Sequence, residues 1–224
     1  VANSFDDTVG VMLGKGDGTF QAQVPYMTGF FPFSVALADF NNDTLLDIVV
    51  AQYLDDSVGV LINQGKGQFG RSQSTMTGFS PFFVATGDWN NDGKMDIASS
   101  DEGGGTLTIF TNSGGGQLKK VSTVQSGASP EMCIAGDWNG DGNWDLAAAD
   151  SGAGSLLVAI GKGDGTFTAN AKAAQIPNAP MGITAGDYNL DGLIDFITAN
   201  AKQNNVSLVL QNKGGTFAAP TNLT

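Results

Sequence analysis

Asp137-Trp-Asn-Gly-Asp-Gly-Asn-Trp-Asp145 decides the fold, because the chain carries it more than once. The same nine-residue pattern reads Asp39-Phe-Asn-Asn-Asp-Thr-Leu-Leu-Asp47, Asp88-Trp-Asn-Asn-Asp-Gly-Lys-Met-Asp96 and Asp187-Tyr-Asn-Leu-Asp-Gly-Leu-Ile-Asp195. The first residues of the four copies lie 49, 49 and 50 positions apart. Seven residues before each stands a proline: Pro32, Pro81, Pro130 and Pro180. A glycine-rich signature follows each copy, at Gly65–Phe69, Gly114–Leu118, Gly163–Phe167 and Gly214–Phe217. A fifth, Gly16-Asp-Gly-Thr-Phe20, precedes the first Asp loop. Self-similarity at this period is the mark of a repeat architecture.

Each repeat reads as four short strands. The first runs from the proline to the loop, as in Pro32–Asp39, and the second leaves it, as in Asp47–Ala51. The third is Val58–Ile62, with counterparts at Leu107–Phe110, Leu156–Ile160 and Val206–Leu210. The fourth follows the glycine turn, as in Phe69–Thr77. These runs are β-branched or aromatic and bounded by Gly, Asn, Asp and Pro. No stretch shows a sustained helical period. The expected fold is all-β: a β-propeller of four-stranded antiparallel blades, four complete and one partial at the N-terminus.

The partial blade takes residues 1–28, and the full blades about 29–77, 78–126, 127–176 and 177–224. Residues 1–28 supply strands two to four of their blade. A closed five-blade ring would need about 20 further residues at this period, so the sequence reads first as a fragment of a longer chain, and otherwise as a ring that a neighbour completes or that closes with a defect. Alternating strand directions sort the loops onto two ends. The Asp loops and glycine turns share one end, the metal face. The loops from strand two to three and from four to one share the other, the free face.

Positions 1, 3, 5 and 9 of every Asp loop are Asp, Asn, Asp and Asp. Hard divalent cations take several oxygen ligands, and a tight loop presents alternate side chains to one point. The expected ligands are the side chains of Asp39, Asn41, Asp43 and Asp47; Asp88, Asn90, Asp92 and Asp96; Asp137, Asn139, Asp141 and Asp145; and Asp187, Asn189, Asp191 and Asp195. The position-7 carbonyls of Leu45, Lys94, Asn143 and Leu193 join them. Three carboxylates, an amide and a carbonyl nearly complete a cage. That favours Ca²⁺, at about four sites, over the more hydrated Mg²⁺. Position 12 is Val50, Ser99, Ala148 or Thr198, not the Glu of an EF-hand. The four loops gather 12 of the 20 Asp residues, a density that repels itself without cations. Gly93, Gly142 and Gly192 at position 6 allow a left-handed turn. Thr44 stands there in the first loop, which is expected to be weaker or differently shaped.

Composition sets the outer limits. A net charge of −12 repels polyanions, so nucleic acid is excluded as a partner. The absence of histidine removes Ser-His-Asp and Cys-His nucleophile systems and imidazole zinc sites. The single cysteine, Cys133, cannot form an internal disulfide, and its alignment with Val35, Val84 and Ile183 makes it a buried apolar residue. No run is long enough to insert in a membrane.

The loops, the prolines before them and the Gly-Asp-Gly-Thr-Phe turns resemble FG-GAP/VCBS repeats, the units of the integrin α-chain β-propeller. The resemblance covers essentially the whole chain. It implies blades with Ca²⁺ between their first and second strands. Such repeats occur in adhesion receptors, in lectins and as accessory modules of secreted enzymes. The expected function is therefore a non-catalytic, extracellular binding or adhesion module for a protein or glycan, with Ca²⁺ structural. Millimolar external Ca²⁺ fills loops of this kind. The alternatives are a carbohydrate-binding lectin and an accessory propeller of a polysaccharide-active enzyme.

The aromatic residues at loop position 2, Phe40, Trp89, Trp138 and Tyr188, are expected to pack against the neighbouring blade rather than to stack on a sugar. Trp144 aligns with Leu46, Met95 and Ile194 and reads as core. On the free face, Phe30, Phe31, Phe79 and Phe82 beside Asp55 and Asp56 form the candidate ligand site. The competing reading, which is favoured, has the phenylalanines seal blade interfaces and the acids lie in solvated turns.

Overall fold

The computed structural model describes residues 1–177 and 179–223; Asn178 and Thr224, both inside the last expected blade, lie outside the described residues. The chain builds a row of antiparallel sheets. The first has three strands, β1 (Ala2–Asn3), β2 (Thr8–Val11) and β3 (Val24–Met27). The second holds β4 (Pro32–Ala38), β5 (Asp47–Gln52), β6 (Ser57–Leu61) and β7 (Gln73–Met76). The third holds β8 (Pro81–Gly87), β9 (Asp96–Asp101), β10 (Thr106–Asn112) and β11 (Leu118–Gln125). The fourth holds β12 (Pro130–Gly136), β13 (Asp145–Asp150), β14 (Ser155–Gly161) and β15 (Phe167–Gln175). The fifth holds β16 (Pro180–Gly186), β17 (Asp195–Asn200) and β18 (Asn205–Val209). After a small ribbon of β19 (Gln211–Asn212) and β20 (Thr216–Phe217), β21 (Thr221–Leu223) completes it. These are propeller blades, the first of them partial.

Each proline opens an inner strand with a register shift, between Pro32 and Val35, Pro81 and Phe83, Pro130 and Cys133, and Pro180 and Gly182. Proline has no N–H for the ladder, so a strand end with a bulge is where it fits. The second strand lies deepest. Every residue of β5, β9 and β13 is buried, because each sheet is packed on both faces. The period of two then sorts their side chains. Val49 and Ala51 meet Val84, Ile97 and Phe110 of the following blade, whereas Ile48 and Val50 meet Val9 of the preceding one. The fourth blade repeats the division. Leu146 and Ala148 join Ala98 and Leu107, while Ala147 and Ala149 join Ile183 and Phe196.

Two expectations need correction. Phe69 lies outside the fourth strand, which is confined to Gln73–Met76; Phe69 makes only an isolated bridge to Asn63. Trp144 is not core. It is 37% exposed on the metal face, where its ring meets Trp89 edge-on at 6.3 Å. The aligned residues are no deeper, with Leu46 54% exposed and Met95 and Ile194 half-buried, so an apolar side chain at loop position 8 is no sign of depth.

Candidate functional site

The four Asp loops fold by one hydrogen-bond scheme. The position-1 carboxylate accepts N–H groups from across the turn. Its Oδ2 takes position 6: Thr44 to Asp39 at 2.7 Å, Gly93 to Asp88 at 2.8 Å, and Gly142 to Asp137 and Gly192 to Asp187 at 2.9 Å. Its Oδ1 takes position 5 at 3.1–3.2 Å. The position-3 amide joins the same knot. Asn41 Nδ2 donates to Asp43 Oδ2 at 2.8 Å, and Asn90, Asn139 and Asn189 do the same to Asp92, Asp141 and Asp191. The position-5 carboxylate accepts the N–H of position 7, as from Asn143 to Asp141 at 2.8 Å.

Position 9 sits at the base of the loop, fully buried. Asp47, Asp96, Asp145 and Asp195 each accept the N–H of position 2 on Oδ2, from Phe40, Trp89, Trp138 and Tyr188 at 2.8–3.0 Å. Each accepts a second N–H on Oδ1, from the third strand's end or just beyond it: Asn63, Asn112, Gly161 or Gln211, at 2.7–2.9 Å. One buried carboxylate thus ties loop to third strand in every full blade. Burial pushes the Asp96 carboxyl up to about 6 against these two N–H groups, and the charges of Asp92 and Asp88 add to the push. Asp145 behaves the same way, also at about 6, beside Asp141 and Asp137.

The structure therefore brings positions 1, 3 and 5 together, and Asp47, Asp96 and Asp145 at position 9 lie close enough to feel the charges of positions 1 and 5. Among the described residues no three acidic side chains are drawn into a ready-made cation cage, because the carboxylates turn to backbone N–H groups. The donor set is all hard oxygen, most of the loop carboxylate oxygens accept a single hydrogen bond and keep a lone pair, and the charge is almost uncompensated. The one ion pair among the described residues is Lys94 Nζ to Asp92 Oδ2 at 3.1 Å. In chemistry the residues fit a calcium ion. The first loop is not differently shaped: Thr44 stands at φ 72° and keeps the bonds of its glycine counterparts. Position 4 is left-handed as well, at Asn42, Asn91, Gly140 and Leu190. Asn, Asn and Gly in three of four copies were the readable signal for it.

Position 2 packs as expected where a following blade exists. Phe40 and Trp89 are buried, and Trp138 meets Phe196 at 5.4 Å. Tyr188, in the last loop, is 43% exposed. Cys133 is buried, and desolvation pushes its thiol up to about 12.

On the free face the candidate residues divide. Phe31 and Phe82 belong to an aromatic array with Phe33 and Tyr53; Phe33 and Phe82 rings lie 3.9 Å apart, and Phe5 meets Phe31 edge-on. Phe30 and Phe79 are exposed and outside these ring contacts. The acids are not solvated turns but hooks between neighbouring loops: Asp55 Oδ2 accepts the Phe30 N–H and Asp56 Oδ1 the Ser80 N–H, both at 2.7 Å. Sequence reasoning passed over Tyr53, whose hydroxyl donates to Glu102 at 2.8 Å, and Glu131, buried and bonded to Ser151. Burial first, then the Glu102 and Asp150 charges, raises Glu131 above the usual carboxylate range. That Glu102 and Glu131 are the chain's only glutamates was the available signal.

Sequence comparison matches the FG-GAP-like repeat to residues 1–50, 39–99, 88–148 and 137–198. No curated protein matches the sequence. Among solved structures, a protein from Lactobacillus plantarum is similar at TM-score 0.66 and 16% identity, over 94% of this chain and 60% of that one. Virginiamycin B lyase from Staphylococcus aureus is similar at TM-score 0.62 and 17% identity, over 96% of this chain and 64% of that one. At these identities the likeness concerns the fold alone, and the chain spans less than two thirds of either structure's length.

Proposed function

This chain belongs to the FG-GAP-like repeat family, and from that premise we propose that it is a calcium-stabilised β-propeller module that binds a protein or glycan without catalysis, outside the cell. The observation that carries the reading is the fourfold loop, with three carboxylates at each site and a single cation, Lys94, among all of them. Asp39, Asn41, Asp43 and Asp47, with their three sets of counterparts, would hold the ions. Bound Ca²⁺ would supply charge neutralisation and a rigid loop, its structural task here. External millimolar Ca²⁺ suits such sites better than cytosolic levels.

The free face supports the binding part. Its aromatic array offers a stacking surface beside Glu102 and Glu131, a composition suited to a glycan or a basic peptide. Against catalysis stands the engagement of the acids: those of the loops and the free-face hooks already accept backbone N–H groups. The lyase likeness carries no activity across, at 17% identity.

Calorimetric titration with CaCl₂ tests the metal reading and is expected to show sites that EGTA reverses, with a thermal transition that moves upward as calcium is added. No heat of binding and an unmoved transition would remove it. A glycan array separates a lectin from a protein-binding module. Saturable glycan binding lost on Phe33→Ala would favour the lectin.

A further inference from the structure

Two of the three junctions between complete blades are closed on the metal face by the following blade's glycine turn. The turn of the third blade sits down on the second: a Cβ at Gly116 would lie 2.8 Å from Val60 and 3.2 Å from Ile62. The turn of the fourth blade sits on the third. A Cβ at Gly165 would lie 3.3 Å from Val121 and 3.4 Å from Thr111, and the Gly165 N–H donates to the Trp89 carbonyl at 2.8 Å. Trp144 completes that closure, edge-on to the Trp89 ring.

Between the fourth and fifth blades the turn stands off, although both blades have their four strands. A Cβ at Gly215, the counterpart of Gly116 and Gly165, would meet nothing within 4 Å, and its N–H donates within its own turn, to the Asn212 carbonyl at 3.2 Å. Ile194 stands where the fourth blade has Trp144. A cavity of about 480 Å³ results, walled by Trp138, Val158, Ile160, Ile194, Gln211 and Phe217.

Gln211 makes the cavity more than a packing gap. Its counterparts Asn63 and Asn112 give their amide oxygens to their own glycine turns, to the N–H groups of Gly65 and Gly114, both at 2.9 Å. Gln211 is 6% exposed, and its Nε2 donates to the Trp138 carbonyl at 3.2 Å. Its Oε1 is buried and accepts no hydrogen bond among the described residues. A buried acceptor in that state is costly until a donor reaches it. Trp138 Nε1 is also without a partner, but so is Trp89 Nε1 at a closed junction, so Gln211 alone distinguishes the open one.

We propose that this cavity seats an aromatic side chain that carries a ring N–H or a hydroxyl, a tryptophan or tyrosine of a partner protein. The ring lies against Trp138 as Trp144 lies against Trp89, among Val158, Ile160, Ile194 and Phe217, and its donor meets Gln211 Oε1. A saccharide suits these walls less, since several of its hydroxyls would face aliphatic side chains without partners. The assignment rests on the chain's being a binding module and names the anchor of its protein ligand.

The probes are N-acetyltryptophanamide, N-acetyltyrosinamide and N-acetylphenylalaninamide. Each is titrated into the intact, ¹⁵N-labelled chain in calcium buffer and followed by NMR at the Trp138 indole and the Gln211 amide. Saturable shifts are expected, with the phenylalanine compound about fivefold weaker because it has no ring donor. Gln211→Leu should remove that difference. Ile194→Trp, which copies Trp144, should fill the cavity and abolish binding. Should Ile194→Trp fail to fold, the tryptophan and phenylalanine compounds on the unaltered chain still decide. No saturable shift up to the solubility limit of the tryptophan compound overturns the proposal. So do equal binding of all three compounds and binding that survives Ile194→Trp. N-acetylglucosamine moving the same signals where the tryptophan compound does not would make the cavity a glycan site and overturn it as well. Each of these results strikes this cavity alone, because binding that is lost on Phe33→Ala reports on the free face and would stand.

Discussion

Thr44 and Asp39 are joined by the shortest position-6 bond of the four loops: the Thr44 N–H donates to Asp39 Oδ2 at 2.7 Å while Thr44 is held at φ 72°. The bond keeps a β-branched residue in a region that suits glycine. A left-handed conformation costs a non-glycine residue roughly 1–2 kcal/mol. Thr44→Gly is therefore expected to stabilise the protein by about 1 kcal/mol, since glycine's own unfolded-state entropy takes back part of the gain. Urea unfolding checks it. Leu190, at φ 61° and 88% exposed, should respond to Leu190→Asn in the same direction. A loss of stability in both variants would mean that the left-handed turns are not strained.

Asp145 carries the opposite expectation. Its two oxygens accept the Trp138 and Gly161 N–H groups from separate elements. Asp145→Asn turns one acceptor into a donor that faces an N–H and leaves a buried group unsatisfied. The expected loss is about 2 kcal/mol or more. It should persist in EGTA, because the bonds belong to the protein alone. A loss seen only with calcium present would assign Asp145 to the metal and not to the loop's frame.

The legible and illegible parts of the molecule divide along physical lines. Period, proline and loop positions fixed the strand order, because each repeat states them again and local rules suffice. The exposed setting of Trp144 and the roles of Asp55 and Asp56 were not legible. They depend on what a neighbouring loop brings to the spot: the Trp89 ring against Trp144, the Phe30 and Ser80 N–H groups against the two acids. Tyr53 and Glu131 were missed for the same reason. Tyr53 meets Glu102 across 49 residues of chain, a contact that no local pattern announces.

Metal-free protein should show an inverted acid response. Asp96 and Asp145 hold their protons to about pH 6 when folded, against roughly 3.9 in the unfolded chain. Between about pH 4 and 6 the folded state thus binds more protons, and stability falls as pH rises. Asp17 and Asp164 are lowered by Thr19 and Thr166 and act oppositely, but only below their unfolded values. Dialysed protein should accordingly melt higher at pH 5 than at pH 7. With calcium bound, the carboxylates are held ionised, so acidification should lower the melting temperature instead. Parallel pH curves with and without calcium would contradict this.

Cys133 should be silent to thiol reagents. Its side chain is buried and its thiol is pushed up to about 12, so thiolate is scarce even at pH 8. Ellman's reagent is expected to read no thiol in the native protein and one per chain in urea. Fast native labelling would place Cys133 at a site that opens locally.

Lys94 gives the calcium reading its sharpest test, because it distinguishes one loop from three. Its ammonium lies 3.1 Å from Asp92 Oδ2, at a carboxylate expected to face the ion. An exposed pair of this kind is worth well under about 1 kcal/mol to the fold, so Lys94→Gln should leave calcium-free stability nearly unchanged. Its effect on binding should be larger, since a cation beside the site repels Ca²⁺ directly. Calorimetry of the Lys94→Gln variant should show one site tightened about threefold or more. The other three loops carry no lysine within them and should keep their affinity. The gain should shrink as salt is added, as it must for a charge at the surface. An unchanged isotherm, at low salt and with the fold intact, would mean that Asp92 does not take the ion; equal tightening at all sites would mean that Lys94 acts through net charge alone.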